Sequence, residues 1–189
     1  MTERNKDSAE AFKKRSEQLI KSWHQKITYE TDKTKKMNLY NLIGAKHYQL
    51  GDLENSKTNF VKSLKIFQGT RHKDSTTKHH GCKTLSYLCQ IYQKQKNQEN
   101  FRTCSNMLLK YSEELNDAIH FFNSFRFRAI IRYQEAEKLL EDEKEAEDYF
   151  RKRDLQAEFE NTLKDSVSLF EKAGQHLETY KKQDLENSK

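Results

Sequence analysis

Proline is absent from this chain of 189 residues, and glycine occurs five times, at Gly44, Gly51, Gly69, Gly81 and Gly174. Without proline, no helix is forced to stop for want of a backbone N–H. With so few turn residues, a β-rich fold built on tight hairpins is excluded. No run of about 18 apolar residues exists, so a membrane-spanning helix is excluded as well. A Gly-rich phosphate loop, a His-Glu helix motif and a Gly-x-Ser-x-Gly turn are all missing. The chain is therefore expected to be no enzyme and to need no cofactor. Its three cysteines, Cys82, Cys89 and Cys104, are odd in number. With no signal-peptide pattern and no lipidation motif, they point to a reducing, intracellular setting. The cytoplasm is the leading compartment, with nucleus and cilium left open.

What is abundant is Lys, Glu, Gln and Leu, all good helix formers, and the fold class is all-α. Hydrophobic and charged residues each make up 34% of the chain, and aromatics 11%. That balance suits a stack of helices with a thin core and much solvated surface. The alternative is a partly disordered chain ordered by its partners, against which the aromatic content argues. The net charge of +6 is unevenly spread: Lys57 to Arg132 is basic, and Glu135 to Asp165 is acidic, most densely from Glu141 to Asp148. Such runs are solvated helix faces, or else contacts with an acidic partner or RNA.

The first helix is expected over about Ser8 to Thr28, with Ser8 as N-cap and Phe12, Leu19, Ile20, Trp23 and Ile27 on one face. It caps a helical array or offers the Trp23 face to a partner. A helix pair comes next. Tyr40, Ile43, Gly44 and Tyr48 share one face of its first helix, and Gly44 admits a close neighbour. Gly51 takes the left-handed turn, Asp52 caps the second helix, and Ser56, Phe60, Ser63, Leu64 and Phe67 alternate small and large on its packing face. Taken together, this segment resembles a tetratricopeptide repeat (TPR), a helix hairpin of about 34 residues. Ser56 and Ser63 stand where the family has alanines, and Ile43 where it has leucine; the closing proline is missing.

A polar linker, a loop or a frayed helix extension, is expected from Gln68 to Gly81. Beyond it Leu85, Leu88, Cys89 and Tyr92 repeat the first face, with Cys89 where Gly44 stood, 45 residues earlier. A turn at Lys96 to Gln98 leads to Phe101, Cys104, Leu108 and Tyr111. A third first-helix, Asp117 to Gln134, carries Phe125, Ala129 and Tyr133. After it come an acidic stretch and either a repeat helix from Asn161 to Tyr180 or one long helix across Asp154. Phe170 to Ala173 echoes Phe60 to Ser63, and Asp184 to Lys189 repeats Asp52 to Lys57. The expected organisation is a cap over 1–35, TPR-like repeats over 36–134 with a loop at 68–82, and acidic then C-terminal helices over 135–189. It amounts to a short TPR-like α-solenoid of antiparallel helix pairs with a longer C-terminal helical segment.

His72, His79, His80, Cys82 and Cys89 offer zinc donors, but match no finger spacing, and no metal site is expected. Cys104 falls on a packing face and is read as a small core residue. Arg71 to Lys83 and Phe122 to Arg128 mix cations with aromatics as a single-stranded RNA surface does; Phe125 has a competing core role. The TPR resemblance implies a concave groove lined by first-helix residues: Asn41 and Ala45, then Ser86, Gln90 and Lys94, then Arg126 and Ile130. Such a groove suits an acidic or extended peptide. Ala45 stands where the family's two-carboxylate clamp has a second Asn, so the clamp is incomplete. The implied function is a non-catalytic interaction scaffold, a small subunit bound to other protein subunits. An RNA-contacting protein and a peptide-sensing regulator are the alternatives.

Overall fold

The structure, a computed structural model, describes the backbone of residues 3–187 and the side chains of residues 8–182 and Glu186. Among the described residues there are seven helices and no strand: α1 (Glu3–Tyr29), α2 (Lys33–Gln49), α3 (Leu53–Gln68), α4 (Ser75–Lys94), α5 (Gln98–Leu115), α6 (Ala118–Glu145) and α7 (Tyr149–Asn187). The all-α class holds. Sequence neighbours pack as pairs, α1 with α2, α2 with α3, α5 with α6, and α6 with α7. The chain divides into two compact units, Met1–Ile91 and Tyr92–Lys189.

In the first unit α1 already runs at Glu3, which places Ser8 inside the helix and not at its N-cap. The side chains it buries most deeply are Ser16 and Ile27, with Ile20 and Trp23 half-buried between them. Phe12 and Leu19 lie on the edge of that stripe and stay exposed, Phe12 at 47% under the Lys46 ammonium. The α2–α3 hairpin arises from its turn chemistry. Gly51 has φ +79°, left-handed as the turn demands, and the Asp52 carboxylate accepts the Asn55 N–H at 3.1 Å. Across the pair, a Cβ on Gly44 would lie 2.9 Å from the Phe60 ring, so glycine is what lets the helices meet there.

The expected linker from Gln68 to Gly81 is only partly one. Helix α4 starts at Ser75, where the Asp74 carboxylate receives the Thr77 N–H at 2.7 Å. Gly81 is therefore helical, and a Cβ there would sit 2.5 Å from the Phe67 ring. Tyr87 stacks on Phe60 with centroids 4.6 Å apart, so α4 covers both large rings of α3.

In the second unit Asn97 caps α5 and Asp117 caps α6, the latter accepting N–H groups of Ile119 and His120. Phe101 of α5 meets Phe127 of α6 edge-on at 5.9 Å, and Arg102 pairs with Glu135. The other side of α6 meets α7. His176 stacks on Phe121 and Phe125, and the Ser166 hydroxyl donates to the Ala129 carbonyl at 2.9 Å. Helix α6 ends where Ala146 turns extended, and α7 then runs unbroken across Asp154. Residues 135–182 thus form a hairpin with one long second arm. The Asp184 to Lys189 copy of Asp52 to Lys57 lies, but for Glu186, outside the residues whose side chains are described.

Candidate functional site

The groove residues expected from the repeat pattern have mixed fates. Asn41 is fully buried: its Nδ2 donates to the His80 carbonyl at 3.0 Å, and its Oδ1 accepts from the Thr84 hydroxyl at 2.7 Å. The Ser63 and Thr84 hydroxyls lie 2.9 Å apart, so one polar network ties α2, α3 and α4. Asn41 is an interior clasp, its amide engaged by α4, the helix expected to line the groove beside it. Ser86 is buried too. Ala45 and Gln90 are half-buried, and Gln90 accepts from the Tyr48 hydroxyl at 3.1 Å. In the second unit Lys94 is exposed at the end of α4. Arg126 and Ile130 are half-buried, with the guanidinium over the Phe127 ring at 4.6 Å.

The side chains considered for chemistry are mostly core. Cys82 and Cys89 are fully buried in α4. Burial pushes the Cys104 thiol up to about 12, so at neutral pH it stays protonated and a poor nucleophile. His80 is lowered from its ordinary value, first by burial and then by His79 and Lys83. In Phe122 to Arg128, weighed above as an alternative RNA surface, Phe125 stacks on His176 and Phe127 is fully buried.

The surface that stands out is the outer face of α7. The stripe of α7 that runs from its buried side out to this face matches that of α3 position for position: Leu163 with Leu53, Ser166 with Ser56, Phe170 with Phe60, Ala173 with Ser63 and Leu177 with Phe67. The contacts match as well, since Ser56 donates to the Gly44 carbonyl at 2.9 Å just as Ser166 does to that of Ala129. One difference separates the two hairpins. Phe60 is 0% exposed beneath Tyr87, while its counterpart Phe170 is 44% exposed and Val167 beside it 51%. A Cβ on Gly174, in the same stripe, would meet nothing within 4 Å. The echo of Phe60 to Ser63 in Phe170 to Ala173 is legible in the sequence; that one copy is covered and the other bare is not.

Comparisons with family models, with curated proteins and with solved structures find no match for this chain. No helix among the described residues is long and apolar enough to cross a membrane.

Proposed function

We propose that the protein is a non-catalytic interaction scaffold, a short TPR-like array of helix hairpins that serves as a subunit of a larger assembly. Its docking surface is the outer face of α7, and its partner there is an amphipathic helix of another protein subunit. The observation that carries this reading is the pair of matched hairpins, Phe60 of one covered by α4 and Phe170 of the other exposed beside Val167. Val167 and Phe170 lie one turn apart on one face, and contiguous exposed apolar surface is what interaction sites present.

The covered copy supplies the template for the occupant. Gly81 lies on Phe67 and Tyr87 on Phe60, so α4 runs antiparallel to α3. A partner helix on α7 would run antiparallel too, with a small residue on Leu177 and a ring on Phe170. Glu160, Glu171 and Glu178 flank the bare stripe at about 80–100° around the helix, interrupted by Lys164, and favour a basic edge on the partner.

The test is paired affinity isolation of the wild-type chain and a Val167→Glu/Phe170→Glu variant, checked by circular dichroism to be equally helical. A stoichiometric subunit recovered with the wild type and lost with the variant supports the reading. Recovery of both proteins alone and monomeric would overturn it. Self-association lost in the variant would reassign the face to a second copy.

A further inference from the structure

We propose that the open end of the α2–α3 hairpin is a binding site for a small ligand carrying a chain of two or more phosphate groups. The site lies in the first unit and does not depend on the reading of α7. Lys33 and Lys36 of α2 and Lys62 and Lys65 of α3 surround a cavity of about 590 Å³ walled by Tyr40 and Ile66. That volume is within the usual range for small-molecule sites. The lining includes no carboxylate among the described residues.

The four lysines line one hollow because of the hairpin's register. Ser63 of α3 donates to the Met37 carbonyl of α2 at 3.3 Å, which brings the Lys62–Lys65 turn level with the Lys36 turn. Each helix contributes its lysines at i and i+3, the spacing that places like charges side by side. The nearby carboxylates are engaged with backbone: Asp32 accepts the Lys35 N–H and Glu30 the Asp32 N–H, each at 2.9 Å. The Lys62 ammonium stands 5.7 Å from the Tyr40 ring centroid. Its field also contributes, after burial, to holding His24 below its ordinary pKa.

A set of four cations around a cavity without a carboxylate is held together by the packing beneath it, and a polyanion relieves the repulsion. Lysine suits phosphate as a mobile point charge, where bidentate carboxylate recognition favours arginine. A chain of phosphates spans both lysine pairs, while a single phosphate engages one. The apolar wall leaves room for a group attached to that chain, so inorganic polyphosphates and nucleoside polyphosphates share the required chemistry.

Calorimetric titration of the full chain at about 150 mM salt, where surface charge is well screened, tests the assignment. The probes are inorganic tripolyphosphate, ATP, AMP, inorganic phosphate and a short single-stranded oligonucleotide, all without added metal. Tripolyphosphate and ATP are expected to bind at least about tenfold tighter than AMP or phosphate. Lys36→Gln/Lys62→Gln is expected to weaken both by about tenfold or more, and Lys13→Gln/Lys14→Gln, of equal charge change on exposed positions of α1, to leave them unaltered. ATP binding tighter than tripolyphosphate assigns the nucleotide as the source; equal affinities assign the phosphate chain alone. The proposal is overturned if neither probe binds, or if both lysine pairs weaken binding alike. It is equally overturned if an oligonucleotide binds more tightly than either probe and loses that affinity in Lys36→Gln/Lys62→Gln.

Discussion

Replacing Gly81 with alanine adds one methyl group at the most crowded glycine of the fold. The new Cβ would sit 2.5, 2.6 and 2.7 Å from three atoms of the Phe67 ring. Carbon atoms pack at about 3.5–4.0 Å, so ring and helix must part by roughly 1 Å. Phe67 is fully buried, with the Lys73 ammonium 5.2 Å from its centroid, so the ring has no open side to turn into. Overpacking of this kind costs about 1–3 kcal/mol. Alanine returns about 1 kcal/mol of helix propensity over glycine. The net expectation is a loss of about 1–2 kcal/mol, taking the upper part of the overpacking range for a ring that cannot yield. The same substitution at Gly174, where an added Cβ meets nothing, keeps the propensity gain and should stabilise by about 0.5–1 kcal/mol. Urea unfolding separates the two effects. Trp23, the one tryptophan, reports on the first unit, and far-ultraviolet circular dichroism on the whole chain. Phe67→Leu should cost less in the Gly81→Ala background than in the Gly174→Ala background. The reasoning fails if both glycine variants shift stability in the same direction, or if Gly81→Ala unfolds at the wild-type midpoint.

Phe60→Ala should cost about 3–5 kcal/mol in the same assay, since the ring is fully buried between Gly44 and Tyr87; a loss under about 1 kcal/mol would place it outside the core. Asn41→Ala leaves the His80 carbonyl without its amide donor and should cost about 1–3 kcal/mol, while an unchanged melting midpoint would refute the interior network. His80 and His24 are both held below their ordinary value of 6.5, so the unfolded chain binds more protons. Stability should therefore fall as pH drops through and below 6.5, level off beneath the two folded-state values, and fall less in His80→Gln; a flat urea midpoint from about pH 7.5 to 5 would refute this. The Asp52 and Asp74 carboxylates are lowered from 3.8, chiefly by hydrogen bonds from Asn55 and Thr77, and their contribution is lost only as pH falls below that value. Cys104, buried and pushed up to about 12, should resist alkylation in the native chain and react on unfolding; rapid native labelling, located by peptide mapping, would contradict its placement.

The helices are legible in the sequence wherever one face alone is buried. The close approach at Gly44, the turn at Gly51 and the cap at Asp52 depend on chemistry within a few residues of each other or on plain spacing. Legibility fails where a residue type has two physical uses. Gly81 looks like the end of a loop, because glycine punctuates chains and also admits close helices. Asn41 looks like a surface amide because it is polar, although its partners are the His80 carbonyl and the Thr84 hydroxyl of α4. The pattern points to Phe125 and misses Phe127 because α6 buries two faces, toward α5 and toward α7, and a single stripe describes only one of them. The lysine cavity needs two helices set in register before it exists, and no short window of sequence contains both.

The serine hydroxyls that donate to the Gly44 and Ala129 carbonyls have a consequence for how such a lean chain stays in one state. An alanine at either position would fill nearly the same space but would let one helix slide along the other at little penalty. The hydroxyl favours the aligned state, since a displaced serine would exchange the bond between helices for one to a carbonyl of its own helix, as Ser112 and Ser124 make. Each hairpin thus carries a detent, a single atom that marks its correct alignment. Ser166→Ala would then be expected to retain its helices while broadening the resonances of α6 and α7, a loss of definition without a loss of fold.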